Sequence, residues 1–267
     1  MERQSILDEI IARRHADVES KTVPLAEWQA KHRDRTDFRP FRWSLQQKMK
    51  HPGTAAIIAE IKRGSPAKGL FAPDLDPSKA AEDYNHRAAC LSVLTEPHYF
   101  FGSFDDLIAA RNSCELPALQ KDFIVTEYQV WECAVHADAM LLIARCLEQQ
   151  QLTGLYGLAT ELGLDVIVEV FDEEDIDKIE PFHFPLIGIN HRNLQTMSID
   201  LERSRRLLSR FASDQTVVAA SGIKTRKDIE NLMQAGIRAF LIGESLSTYR
   251  NRDDFLRELV EGGSHAG

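Results

Sequence analysis

TAAIIAEI, residues 54–61, is the first of eight short apolar runs that recur along the chain. Each run is rich in Val, Ile and Leu and lacks regular polar alternation, which is typical of parallel strands buried on both faces. The other seven runs are CLSVLTE (90–96), PALQKDFI (117–124), DAMLLIA (138–144), LDVIVEV (164–170), PLIGIN (185–190), TVVAASGI (216–223) and AFLIGES (239–245).

Segments with helical apolar spacing separate the runs, for example FDDLIAARN (104–112) and TRKDIENLMQAG (225–236). Alternating strands and helices indicate parallel strands joined by right-handed crossovers. Eight units of about 26 residues each suit a single α/β domain folded as a closed (β/α)8 barrel, the TIM barrel. An open doubly wound sheet is the second choice, but no GxGxxG motif follows the first run.

The segment before the first run, residues 1–50, has its own amphipathic pattern in ILDEIIARRH (6–15). This pattern predicts an N-terminal helical extension that packs on the barrel. The extension either caps the bottom of the barrel or forms a flap over the top, where a ligand would bind. We predict the barrel itself over 51–262 and a disordered tail over 263–267.

The composition narrows the function. The chain has 267 residues and a net charge of −9, so phosphate backbones and anionic membranes repel it and we expect neither nucleic-acid nor membrane partners. Four cysteines without a CxxC pair suggest reduced thiols in a cytoplasmic protein. The charges on both sides of the first short apolar stretch do not predict a signal peptide, and no apolar run approaches the ~20 residues of a membrane helix. The dispersed histidines contain no HExxH motif, and we expect no metal.

Lone charged residues end several of the runs. Active sites of TIM barrels lie at the C-terminal ends of the strands, so these residues are the first candidates for catalysis. Glu60 and Lys62 are two positions apart and therefore share a face of the first strand. Lys121 and Glu169 end later runs, and partial desolvation makes such groups exchange protons more readily. We predict an acid–base set; the alternative is structural ion pairs.

Binding groups follow the last three runs. Asn190 both donates and accepts hydrogen bonds, and Arg192 offers a permanent fork for an oxyanion, whereas His191 between them is predicted to be structural. The final runs end in SGI (221–223) and GES (243–245), where glycine lets a phosphate approach backbone N–H groups. Barrels frequently bind phosphate at this place. The alternative is a pair of turns that need glycine only for their geometry.

These stretches resemble the indole-3-glycerol phosphate synthase family across nearly the whole chain. AEIKRGSP (59–66) and LTEPHYFFGS (94–103) carry the most specific similarity, and ELGLDVIVEV (161–170) and GINHRNL (188–194) extend it. The family closes the indole ring of 1-(2-carboxyphenylamino)-1-deoxyribulose 5-phosphate, with loss of CO2 and water and without a metal or organic cofactor. The resemblance therefore implies a carbon–carbon lyase of tryptophan biosynthesis.

The resemblance also implies roles for individual residues. Lys121 and Lys62 are expected to be the acids, in an order that stays open, and Glu169 their second carboxyl partner. Glu60 is expected to orient Lys62. The residues implied for binding are Asn190 and Arg192 for polar and anionic groups of the substrate, Ser65, Ser221, Gly222, Gly243 and Ser245 for the phosphate, and Phe100, Phe123 and Leu142 for the anthranilate pocket. Core packing is the alternative for the three apolar residues.

One position departs from the family pattern. The seventh strand of the family usually ends ESGI, whereas Ala220 stands in the glutamate position here. Loss of this carboxylate implies impaired or retuned activity. It also leaves two alternatives, a paralogous barrel enzyme acting on another amino-sugar phosphate and a non-catalytic sugar-phosphate binder. In every case we expect a phosphorylated small-molecule ligand and a monomer or weak homo-oligomer.

Overall fold

The computed structural model describes residues 5–193 and 196–262. Eight parallel strands form a closed barrel in which each strand pairs with the next along the chain and the eighth pairs with the first. The predicted TIM barrel is confirmed, and the alternative prediction of an open doubly wound sheet is wrong. The barrel strands are β1 (Ala56–Ile61), β2 (Cys90–Leu94), β3 (Ala118–Lys121), β4 (Ala139–Ile143), β5 (Asp165–Val170), β6 (Leu186–Asn190), β7 (Thr216–Ala220) and β8 (Ala239–Ile242).

Helices precede the barrel and follow each of its strands. The helices are α1 (Ile6–Glu19), α2 (Leu25–Arg33), α3 (Phe41–Met49), α4 (Pro77–Tyr84), α5 (Phe104–Asn112), α6 (Glu127–His136), α7 (Gln149–Glu161), α8 (Glu173–Ile179), α9 (Glu202–Leu207), α10 (Arg226–Gln234), α11 (Glu244–Thr248) and α12 (Arg252–Glu261). A short antiparallel hairpin, Gly64–Ser65 with Gly69–Leu70, follows β1. None of the helices in the described ranges is long and apolar enough to cross a membrane.

Side-chain caps set the start of several helices. Thr126 and Gln129 form a capping box at the start of α6, and Thr225 and Asp228 form another at the start of α10. Each box satisfies backbone N–H groups that lack a partner within the first turn. These residues follow the ends of β3 and β7, so the caps fix where the chain turns away from the barrel mouth.

The strands are buried on both faces, which explains their unbroken apolar sequence. On β4, Leu141 and Ile143 belong to the cluster inside the barrel, whereas Met140 and Leu142 belong to the cluster between strands and helices. Successive strand side chains point to opposite faces. Because both faces are covered, hydrophobicity alone does not mark which residues point inward.

The N-terminal extension reaches both ends of the barrel. Leu7 and Ile10 of α1 line the cavity at the C-terminal strand ends. Phe41 and Leu45 of α3 are fully buried at the opposite end, where the Sγ of Cys90 lies 3.4 Å from the carbonyl oxygen of Phe41. Between them, α2 packs on α6. The bottom cap and the top flap are therefore both present. The predicted tail over 263–267 lies outside the described residues.

Buried ion pairs attach the segment between α2 and α3 to the barrel. The guanidinium groups of Arg35 and Arg111 contact Asp138 at 2.8 and 2.9 Å, and the Asp138 side chain is fully buried. Both arginines also bind Asp37. Burial opposes ionisation of Asp37, but hydrogen bonds from Arg35 and Arg111 outweigh it and lower its pKa to about 2. Removing one partner of such a buried network leaves an uncompensated charge, so the segment is firmly fixed.

Candidate active site

A single cavity at the C-terminal ends of the strands gathers most of the predicted site residues. Of the fourteen, thirteen line it, and Leu142 does not. They arrive from strands far apart in sequence because all strands of a parallel barrel end at the same mouth. The thirteen are Glu60, Lys62, Ser65, Phe100, Lys121, Phe123, Glu169, Asn190, Arg192, Ser221, Gly222, Gly243 and Ser245.

Lys121 and Glu169 face each other across the mouth. Their Nζ and Oε2 atoms are 3.9 Å apart, and Glu169 is only 4% exposed. The Nδ2 of Asn190 donates a 3.0 Å hydrogen bond to the other carboxylate oxygen of Glu169. A separation of 3.9 Å is beyond a hydrogen bond, so Glu169 does not hold the ammonium tightly. Lys121 is thus able to reach a ligand while its charge is balanced.

Glu60 and Lys62 form a closer pair. Lys62 Nζ lies 2.6 Å from Glu60 Oε1, and Glu60 is 2% exposed. A Cβ atom added at Gly243 would overlap the Glu60 carboxyl group, so this glycine gives the carboxylate its space. Ser247 fixes the backbone here, because its Oγ accepts a hydrogen bond from the Lys62 N–H and donates one to the Glu60 carbonyl. The pair is therefore held by elements from both β1 and the chain after β8.

The turns after β7 and β8 form one side of the cavity together with Ser65. Ser221 and Gly222 are consecutive residues with φ of 71° and 79°. Backbone N–H groups in such left-handed turns converge and can form an anion-binding concavity. The Oγ of Ser245 is buried and has no hydrogen-bond partner among the described residues. These groups give the cavity a set of donors suited to a phosphate.

Asn190 and His191 have different tasks at the end of β6. Asn190 faces the cavity, and its Oδ1 accepts a hydrogen bond from the Arg192 N–H at 3.0 Å. His191 is fully buried on the other face, where its Nδ1 lies 2.9 Å from the Ser221 carbonyl and its Nε2 lies 2.6 Å from the Ser204 hydroxyl. Burial lowers the pKa of His191 to about 4, so the ring is neutral at neutral pH. Its position agrees with the predicted structural role.

The opposite side of the cavity is apolar. The rings of Phe100 and Phe123 lie 6.0 Å apart between centroids. The prediction that Leu142 lines this side is wrong, because Leu142 points outward into the layer under the helices. Its neighbours Leu141 and Ile143 line the cavity instead. The two-residue period of β4 allows only one of these sets to face inward.

The structure adds residues that sequence reasoning missed. Leu7 and Ile10 of α1 cover the apolar side. Their spacing in the first amphipathic segment was a usable signal, but it did not say which end of the barrel the helix covers. Asp122, between Lys121 and Phe123, also lines the cavity and was not singled out.

Ala220 contributes only a methyl group to the wall of the cavity. It is 4% exposed, lines the cavity, and lies between Asn190 of β6 and Leu241 of β8 in the strand register. The described carboxylates that line the cavity already have partners within 4.0 Å: Glu60 with Lys62, Asp122 with Arg14, Glu169 with Lys121, and Glu244 with Lys68. The second carboxylate oxygen of Glu60, Oε2, is buried and has no hydrogen-bond partner among the described residues. Over 5–193 and 196–262, no group of three or more His, Cys, Asp or Glu could hold a metal ion.

Comparison with known proteins shows the family of this chain. The sequence model of the indole-3-glycerol phosphate synthase family matches residues 7–259. The indole-3-glycerol phosphate synthase of Desulfosudis oleivorans is 48% identical over 240 residues, 89% of this chain and 91% of the relative. That of Chromobacterium violaceum is 44% identical over 245 residues, 90% of this chain and 92% of the relative.

Solved structures at low sequence identity show the fold alone. The 3-hexulose-6-phosphate synthase of Salmonella typhimurium superposes with a TM-score of 0.59 at 11% identity, covering 76% of this chain and 96% of that chain. A mutant tryptophan synthase α-subunit of Pyrococcus furiosus gives 0.56 at 11% identity, covering 78% and 98%.

A TIM barrel whose mouth gathers Lys62, Lys121 and a buried glutamate beside two glycine-containing turns is typical of an enzyme that binds a small molecule. The chain belongs to the indole-3-glycerol phosphate synthase family. These relatives favour the synthase over the two alternatives that Ala220 raised.

Proposed function

We propose that this chain catalyses the reaction for which its family is named, the conversion of 1-(2-carboxyphenylamino)-1-deoxyribulose 5-phosphate to indole-3-glycerol phosphate. The observation that carries the proposal is the placement of Lys121, Lys62 and Glu169 in one cavity with an apolar side and with the glycine-containing turns after β7 and β8. The substrate has the same order of groups: an aromatic ring, a reacting carbonyl and a phosphate. One cavity therefore matches its whole length.

The chemistry requires proton donors at the centre of that length. As the aromatic ring carbon attacks the carbonyl carbon, the carbonyl oxygen must gain a proton. The carboxylate then leaves as CO2, and loss of the new hydroxyl as water completes the indole. Lys121 and Lys62 are two of the ammonium groups that line the cavity, and Glu169 is a carboxylate able to take up or return a proton.

Binding is divided between the two ends. Phe100 and Phe123 hold the anthranilate ring by packing, and the N–H groups at Ser221, Gly222 and Gly243 hold the phosphate with the hydroxyls of Ser65 and Ser245. Asn190 and Arg192 contact the polar and anionic groups between them. Glu60 orients the Lys62 ammonium through its 2.6 Å contact.

The proposal extends to the surroundings of the enzyme. All four cysteines are free thiols, which suits a reducing compartment, and we place the enzyme in the cytoplasm. We propose that it works without a cofactor, as a monomer or weak homo-oligomer. Sedimentation at several protein concentrations tests the oligomeric state.

The test is to incubate purified protein with the carboxyphenylamino-deoxyribulose phosphate and to record indole fluorescence. Appearance of indole-3-glycerol phosphate supports the synthase. Binding of the substrate without turnover supports a sugar-phosphate binder instead. Turnover of another amino-sugar phosphate, with none of this one, supports a paralogous enzyme.

A further inference from the structure

Helix α1 is held over the barrel mouth by a buried ion pair. The Nη2 of Arg14 lies 2.9 Å from the Oδ2 of Asp122, and the two residues are only 5% and 1% exposed. They are 108 positions apart in the chain. Asp122 stands directly between Lys121 and Phe123, so the pair joins α1 to the end of β3 that carries both a proposed acid and an aromatic wall.

Asp122 is fully occupied by hydrogen bonds that fix this strand end. Its Oδ2 also accepts a 2.6 Å bond from the Thr95 hydroxyl, and its Oδ1 accepts a 2.8 Å bond from the Phe123 N–H. Gln120 in turn donates to the Thr95 hydroxyl at 3.1 Å. The Phe123 backbone is therefore tied to this carboxylate directly, and the Gln120 side chain is tied to it through Thr95.

The helix that Arg14 holds forms part of the cavity. Leu7 and Ile10 are 9% and 3% exposed and pack in one cluster with Phe123. A second, more exposed contact runs from Asp17 of α1 to His98, whose Nε2 lies 3.1 Å away. His98 belongs to the loop that carries Phe100. Helix α1 is thus connected to both segments that bear the aromatic walls.

We propose that Arg14 and Asp122 are a positioning pair for the reaction. The pair sets the positions of Lys121 and Phe123 at the end of β3 and keeps Leu7 and Ile10 over the aromatic end of the substrate. This inference rests on the proposed function for the identity of that substrate. A loss of Arg14 leaves Asp122 buried without its countercharge, and the strand end then shifts to rehydrate it.

A matched control is available in the same N-terminal extension. Arg35 and Asp138 form an ion pair at 2.8 Å with side chains that are 5% and 0% exposed, but at the opposite end of the barrel. Arg35→Met and Arg14→Met remove equally buried guanidinium groups. Arg35→Met removes a contact far from the mouth, whereas Arg14→Met removes a contact at the mouth itself.

The experiment compares four variants with the parent. They are Arg14→Met, Arg35→Met, Asp122→Asn and Arg14→Lys. Anthranilate probes the aromatic end, inorganic phosphate probes the other end, and kcat and KM for the full substrate report the reaction. We expect Arg14→Met to lower kcat/KM at least tenfold and to raise the Kd of anthranilate at least fivefold. The Kd of phosphate should stay within twofold of the parent value. Arg14→Lys should recover part of kcat/KM, and Arg35→Met should stay within twofold despite a comparable loss of stability.

Coupling gives an independent readout. In the Arg14→Met background, Asp122→Asn should lower kcat/KM much less than in the parent, because the partner is already gone. Equal losses for Arg14→Met and Arg35→Met, or an unchanged Arg14→Met, would overturn the proposal. If the parent itself has no turnover, the proposed function fails, and the anthranilate and phosphate affinities still judge the pair. Should Arg14→Met not fold, Arg14→Lys is compared in its place.

Discussion

Lys121 lies 3.9 Å from Glu169, close enough for the two charges to stabilise each other and too far for a hydrogen bond. Asn190 donates a 3.0 Å hydrogen bond to the carboxylate, so the glutamate is fixed in place, whereas the lysine ammonium is not hydrogen-bonded to it. A general acid must approach the oxygen it protonates, and a loosely held ammonium meets this need better than a tightly bound one.

Replacing Lys121 with alanine should lower kcat by about 10²–10⁴-fold, because it removes a proton donor to the developing alkoxide. The Kd of inorganic phosphate should change little, since the phosphate turns do not involve β3. Steady-state kinetics and phosphate titration measure both. Lys31→Ala, at an exposed lysine of α2, serves as the control and should match the parent. A Lys121→Ala enzyme within twofold of the parent would exclude this role.

Replacing Ala220 with glutamate should speed turnover. A charge-assisted hydrogen bond contributes ~1.5–3 kcal/mol, which corresponds to about 10–200-fold in rate if the bond forms in the transition state. The new side chain would enter the cavity between the positions of Asn190 and Leu241. Steady-state kinetics of the two proteins side by side measure the effect, with phosphate affinity unchanged. Ala220→Gln is the uncharged control. Equal rates for all three would show that a carboxylate here contributes nothing.

Replacing Gly222 with alanine should weaken phosphate binding at least tenfold. Its φ of +79° is strained for a residue with a Cβ, and that Cβ would overlap the Ile199 side chain. The turn must therefore move away from the phosphate position. Isothermal titration with inorganic phosphate measures the change, and in the parent a soaked phosphate should lie between this turn, Gly243 and Ser65.

Gly154 provides the matched control for Gly222. It lies on the exposed face of α7, and a Cβ there meets nothing within 4 Å. Gly154→Ala should leave phosphate affinity unchanged and raise the free energy of unfolding by about 0.5–1 kcal/mol, because glycine is unfavourable inside a helix. Phosphate binding by Gly222→Ala as tight as that of Gly154→Ala would contradict the assignment of the turn.

Lowering the pH should destabilise the protein through the half-buried His136 and the fully buried His191. Burial, together with the nearby Arg35, lowers the pKa of His136 to about 4 from 6.5. Between pH 6.5 and 4, His136 therefore binds a proton in the unfolded chain but not in the folded one. The free energy of unfolding therefore keeps its full contribution from the neutral His136 ring above pH 6.5 and loses this contribution as the pH falls towards 4. Urea unfolding across this range should show it.

His136→Phe isolates this effect, because it keeps an aromatic ring against Trp28 and Phe104 and removes the titrating group. Its stability should fall less steeply between pH 6.5 and 4 than that of the parent. His191 still titrates in the variant, so the slope becomes smaller without disappearing. An identical slope for the two proteins would show that His136 does not take part.

The sequence by itself determined the barrel and most of its mouth. Runs such as LDVIVEV predict strands buried on both faces, and their alternation with helices allows few other topologies. Lone charges at strand ends, such as Lys121 and Glu169, stand out because burying an ionised group next to a core costs free energy. Such a residue therefore indicates a functional position. These signals are local in sequence and depend on neither the packing of helices nor the register of the strands.

Only the tertiary structure decided the phase of β4, the place of α1 and the pair of Arg14 with Asp122. A strand covered on both faces carries no polar marker, so Leu142 and Leu141 are equivalent in sequence although one faces the helices and the other the cavity. An amphipathic helix such as α1 specifies that one face is covered but not by which surface. The Arg14–Asp122 contact joins residues 108 positions apart, and no local propensity encodes it. Closure of the barrel creates that contact by bringing the end of β3 under the first helix.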